Sequence, residues 1–133
     1  MTKVKSSIKE AHYIVTLTSA SGNTITADEP QALGGMDLGF SPEELLVSAL
    51  AACTSATLRM YADRKGWDLR ELKTEISLEK DAEGKKTFIN RKIELLGNLD
   101  EAQKTRMMVI AEKCPVHKIL TNPIEIISKF AAV

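Results

Sequence analysis

Polar and hydrophobic positions alternate with a period of two near the N-terminus. YIVTLT (13–18) is β-branched and alternating, SASGN (19–23) has turn chemistry, and TITA (24–27) resumes the alternation, which predicts a β-hairpin. VKSSIKE ahead of it predicts a further strand. The segment PQALGGMDLGF (30–40) then holds three glycines and a proline, and reads as a loop able to approach other groups closely. A long helix begins after Ser41. Ser41 suits the N-cap, Pro42 the first helical position and Glu44 the third, a capping box with acidic charge at the positive end of the helix dipole. No glycine or proline interrupts the run to about Asp63, and Gly66 supplies a stop. Leu45, Leu46, Val47, Leu50 and Leu58, set among Ala49, Ala51, Ala52 and Ala56, make this helix apolar nearly all round. Such a helix is expected to be enclosed on most sides.

Alternation returns in LKTEISLEK (72–80). The polar turn DAEGKK leads to TFINRKIELLG (87–97), which predicts a second hairpin with a charged outer face. Asp100 is placed to cap a helix running to about Lys113, with Met107, Met108, Ile110 and Ala111 on its buried side. Pro115 cannot continue that helix and is suited to start a short new one. IEIISKF (124–130) predicts a final strand. The order ββ(β)–α–ββ–α–α–β is an α+β pattern, expected to form one domain over residues 1–133. No internal repeat is present.

Composition adds exclusions. Of the 133 residues, 44% are hydrophobic and 27% charged, an ordinary globular balance. Lysine plus arginine and aspartate plus glutamate both number 18, with no basic block, so nucleic acid and anionic membrane have no electrostatic footprint. MTKVKSSIKEAHY contains no apolar run suited to secretion. The uncharged run inside the apolar helix, 45–58, is shorter than the roughly 20 residues of a bilayer span. The expectation is a soluble, cytoplasmic protein whose thiols stay reduced unless they do redox work.

Two cysteines carry the candidate chemistry. Cys53 sits in the middle of the apolar helix, where a cysteine is most simply a small buried hydrophobe. Cys114 lies between Lys113 and His117 at a break forced by Pro115, and a helix start beside basic groups favours the thiolate form; the plainer alternative is a capped helix junction. A zinc site built from Cys53, Cys114 and His117 lacks a fourth ligand unless His12 travels to complete it. No metal and no cofactor is expected. Glu43, at the second helical position, needs no role beyond favouring the dipole.

The stretch GFSPEELLVSALAACTSATLRMYADRKGW (39–67), followed by AEKCPVHKIL (111–120), resembles the OsmC/Ohr family of thiol-dependent peroxidases, and within it the small OsmC-like redox-protein branch. The resemblance runs over nearly the whole chain. It implies an OsmC-like fold in which two chains intertwine into a homodimer, their long central helices enclosed by antiparallel sheets. It also implies that Cys53 attacks the peroxide, that Cys114 resolves it, and that Glu43 partners an arginine at the site. In the peroxidases that arginine comes from the chain before the central helix. Here no arginine precedes Arg59, which lies six residues past Cys53 and about 120° around the helix. A lysine, Arg91 or a water is left to take its place.

On this resemblance Cys53 passes through a sulfenic acid to a Cys53–Cys114 disulfide, which an external dithiol reduces. Leu46, Leu50 and Met60, at helical spacing from Cys53, point to an organic hydroperoxide, with hydrogen peroxide as a further substrate. Glu43 and Cys53 are about 15 Å apart along one helix, so Glu43 is expected to serve the other subunit's thiol, with the central helices crossing antiparallel. The alternative is a non-enzymatic dimer of the same scaffold that binds an apolar ligand or senses oxidants.

Overall fold

The computed structural model describes residues 1–132, which form two compact units: 1–48 with 78–89, and 49–77 with 90–132. Three elements run from one unit into the other: the long helix and both strands of the second hairpin. The class is α+β, with three helices and two small antiparallel sheets.

In the first unit, β1 (Val4–Ile8), β2 (Val15–Ser19) and β3 (Thr24–Ala27) form an antiparallel sheet in that order. Val4 pairs with Ser19 and Ile8 with Val15. The β2–β3 turn closes because Ser19 donates to the Asn23 carbonyl at 2.8 Å and Gly22 takes a positive φ of 95°. After β3 the chain wraps around one carboxylate. Asp28 is buried and accepts from the backbone N–H groups of Tyr13, Glu29, Met36 and Leu38 at 2.7–3.3 Å. Burial pushes its carboxyl up, but the four N–H donors outweigh that and hold it below the ordinary value. Gly35 and Gly39 permit the wrap: a Cβ there would stand 2.0 Å from the Glu29 carbonyl and 2.3 Å from that of Thr26.

Helix α1 (Pro42–Lys65) starts and stops where local chemistry dictates. Glu44 N–H donates to Ser41 Oγ at 3.2 Å and Ser41 N–H donates back to Glu44 at 2.9 Å, a closed capping box. At the far end Trp67 N–H reaches the Ala62 carbonyl and Gly66 N–H that of Asp63, with Gly66 left-handed at φ 69°. These are the two bonds of a Schellman stop.

The second unit is built on the rest of α1. Leu50, Thr54, Leu58, Tyr61 and Ala62 form its buried stripe. Leu58, Tyr61 and Ala62 pack with Leu69, Leu99, Met107, Ile110 and Ala111 into one core cluster. Strand β4 (Asp68–Lys80) begins four residues before the expected alternation, directly after the Schellman stop, and pairs with β5 (Thr87–Asn98). The strands meet tightly at Gly97, where a Cβ would stand 2.0 Å from the Asp68 carbonyl. Helix α2 (Glu101–Ala111) carries a capping box between Asp100 and Gln103. Helix α3 (Pro115–Thr121) follows.

Three expectations change. Met108 is 51% exposed, because Met107, Ile110 and Ala111 fill the inward face of α2 and Met108 lies about 100° around from Met107. Residues 124–130 are not a strand: Ile126 is 84% exposed and Phe130 wholly so. Their alternation suits a half-buried sheet position, but strand preference reflects packing against neighbours, and no strand of the described residues pairs with them. The long helix is covered by its own chain along one stripe only. Leu46 and Met60 remain exposed, at 44% and 67%. By length and composition α1 is, among the described residues, the one helix able to cross a bilayer.

Replacing Asp28 by asparagine puts an NH₂ group where the carboxylate accepts, so Asp28→Asn is expected to lower the melting temperature at neutral pH. A depressed carboxyl contributes stability that is present above its unfolded value, near 3.8, and is lost as pH falls through the lower folded value. The gap between wild type and variant should therefore hold from neutral pH to about pH 5 and narrow below about pH 4, read by thermal melts across pH.

Candidate functional site

Cys114 closes the turn after α2 and is the N-cap of α3. Its backbone is extended (φ −63°, ψ 141°) and Pro115 occupies the first helical position, where its missing N–H costs nothing. The Cys114 side chain is fully buried, and its Sγ accepts the His117 backbone N–H at 3.3 Å. A sulfur thus takes the capping role usually held by serine or aspartate. Cys53 is half-buried in α1, and both cysteines are free thiols.

Between these segments lies a group that sequence reasoning left open. Arg91 sits in β5 on the inward phase shared by Ile89, Ile93 and Leu95, all half-buried. Its Nη1 donates to Thr54 Oγ1 at 3.0 Å, and its Nη2 bonds His117 Nδ1 at 3.1 Å. Arginine only donates, so His117 Nδ1 accepts and its ring proton is assigned to Nε2. Thr54 is fully buried and donates in turn to the Leu50 carbonyl at 2.7 Å. One guanidinium therefore joins the residue next to Cys53 with the residue whose N–H is capped by Cys114. The link runs across three elements, with Thr54 on α1, Arg91 on β5 and His117 on α3.

Other sequence candidates fall elsewhere. Glu43 belongs to the first unit, in the first turn of α1, where it pairs with Lys80 at 2.5 Å. Both partners are more than half exposed, so the pair contributes at most about 1 kcal/mol. The capping role belongs to the neighbouring Glu44, whose carboxyl is held below its ordinary value by the Ser41 N–H and hydroxyl. Arg59 braces the end of α1, donating to Asp63 at 3.2 Å and to the Leu69 carbonyl at 2.6 Å. Leu50 lies in the buried stripe with Thr54 and Leu58, whereas Leu46 and Met60 are exposed. Among the described residues no group of three or more His, Cys, Asp or Glu side chains is placed to hold a metal ion.

The sequence offers Arg91 only as one of three stand-ins for the missing arginine, and it does not offer Thr54 at all. A signal for Arg91 was present: a charged residue on the apolar phase of an alternating strand. Thr54, polar within an otherwise apolar helix, was the corresponding sign on α1.

A family model described as OsmC-like protein matches residues 34–129. No curated protein matches the sequence. Among solved structures, the chain is similar to a candidate osmotic stress induced and detoxification response protein of Psychrobacter arcticus 273-4. Identity is 24% over 90% of this chain and 88% of that one, with a TM-score of 0.78. It is similar to an OsmC like protein of Mycoplasma pneumoniae, 24% identical over 90% and 86% of the two chains, TM-score 0.77. It is also similar to the organic hydroperoxide resistance protein OhrB of Bacillus subtilis, 24% identical over 91% and 90%, TM-score 0.62. At such identities the likeness is one of fold.

Because the Cys114 sulfur caps α3, Cys114→Ser supplies a better acceptor in the same place and is expected to stay close to wild-type stability. Cys114→Ala removes the acceptor and should lose about 1 kcal/mol. Urea midpoints of the two variants against wild type read the difference.

Proposed function

The chain belongs to the OsmC-like family, and from that premise we propose that it is a thiol-dependent peroxidase of organic hydroperoxides acting through Cys53 and Cys114. The observation that carries this reading is the Arg91 fork, whose hydrogen bonds to Thr54 and His117 draw two thiol-bearing segments to one guanidinium. The substrate class is supported by the similar fold of OhrB, a protein named for organic hydroperoxide resistance.

The Cys53 thiolate attacks the distal peroxide oxygen. The O–O bond breaks, the alkoxide leaves and takes a proton to become an alcohol, and the sulfur is oxidised to a sulfenic acid. The Cys114 thiol then attacks the sulfenic sulfur; an S–S bond forms, and the hydroxyl leaves as water with the Cys114 proton. An external dithiol restores both thiols by two exchange steps and is itself oxidised to a disulfide. Two free thiols suit the reducing cytoplasm.

A second copy of the chain completes the assembly. The uncovered faces of α1 and the exposed apolar tail at 124–130 are surfaces that a homodimer would bury. With the two α1 helices antiparallel, Glu43, held in its own chain only by an exposed ion pair with Lys80, serves the other subunit's thiol site.

With an alkyl hydroperoxide and a dithiol, wild type should turn over repeatedly. Cys53→Ser should abolish consumption, and Cys114→Ser should stop after one equivalent. Wild-type protein inert toward every hydroperoxide and dithiol tried would overturn the reading in favour of a non-enzymatic binder or oxidant sensor. For the assembly, sedimentation should give a dimer, and Ile126→Asp combined with Phe130→Asp should shift it toward monomer.

A further inference from the structure

We propose that Arg91 is a positioning residue for disulfide closure between Cys53 and Cys114, acting by bridging α1 to the first turn of α3; this rests on the thiol reading above. Its bonds go to Thr54, one residue after the first cysteine, and to His117, three residues after the second. The guanidinium is a rigid plane with a fixed fork of donors, so two acceptors bound to it are held at a set separation. Thr54 is fully buried and Arg91 half-buried, so the bond is partly shielded from water, which strengthens a charge-assisted hydrogen bond. Moving α3 away from α1 at this level breaks one of the two bonds.

Closure needs that restraint more than peroxide attack does. A disulfide requires the two Cα atoms within about 7 Å and correctly directed Cβ vectors, whereas a hydroperoxide diffuses to its thiolate. Cys114 is buried beneath its own helix start, so the sulfenic sulfur is met only from where α3 holds it. Closure also pulls on the cap: the Cys114 sulfur that accepts the His117 N–H has to turn toward its new partner, and α3 is only seven residues long. Arg91, bonded to the His117 ring, retains the first turn when its cap weakens. A sulfenic acid left unresolved is open to further oxidation by a second hydroperoxide molecule, which gives sulfinic acid.

The test uses the full chain with Arg91→Met, Arg91→Lys and Thr54→Val, treated either with diamide, which oxidises dithiols to disulfides without a peroxide step, or with an alkyl hydroperoxide. Intact-protein mass distinguishes disulfide from sulfinate. Wild type should close to the disulfide in both treatments. Arg91→Met should close about tenfold or more slowly with diamide, and with hydroperoxide its sulfinate-to-disulfide ratio should rise. Arg91→Lys should resemble Arg91→Met, because one ammonium keeps the charge but loses the fork. Thr54→Val, which keeps the shape and removes one acceptor, should move the same readings less far, and it carries the test if the arginine variants do not fold. Wild-type closure rates in Arg91→Met, or full rescue by Arg91→Lys, would overturn the bridge while leaving the thiol reading standing. Wild type that forms no Cys53–Cys114 disulfide even with diamide would overturn both.

Discussion

The second unit depends on one half-buried charge being shared between two helices. Arg91 enters from a strand, in a row otherwise filled by Ile89, Ile93 and Leu95, and its charge is tolerated there because Thr54 and His117 both accept from it. A guanidinium in an apolar row is costly unless its donors are matched. Once matched, the same low dielectric that makes it costly makes it hold firmly. Both cysteines sit within three residues of an acceptor on this fork, so the proposed thiol chemistry would inherit that rigidity.

The parts of the molecule legible in the sequence are those decided within a few residues. Ser41 with Glu44, Asp100 with Gln103, and Gly66 after α1 each close hydrogen bonds over short spans, so their spacing identifies the helix ends. The second hairpin was equally readable from its alternation. Cys114 at a helix start followed from Pro115, although the sulfur itself as the capping acceptor did not. Arg91 is legible only as one candidate among three for the missing arginine, because its partners lie 37 and 26 positions away. Met108 went wrong for a related reason: in the run Met107, Met108, Val109, Ile110 the sequence offers more apolar residues than one helix face accepts.

The tail at 124–130 shows a different limit. Its pattern is that of a strand, yet a strand is a relation between two segments, and no strand of the described residues pairs with this one. The uncovered sides of α1 pose the same problem at the level of packing. Both features are written in the residues, and the contacts among the described residues account for neither.

Gly97 has a consequence beyond its own position. The Asp68 carbonyl occupies the space a side chain would need there, so β4 and β5 interlock backbone to backbone at that point. Side chains on a strand point to opposite faces at successive positions, and a slip of one residue in the pairing would turn Arg91 outward and Lys92 inward. The interlock is six residues from Arg91 along β5 and touches no reacting atom, yet it guards the strand phase that aims the guanidinium at the two helices. A survey of tolerated substitutions should record position 97 as intolerant for a reason invisible in any list of site contacts.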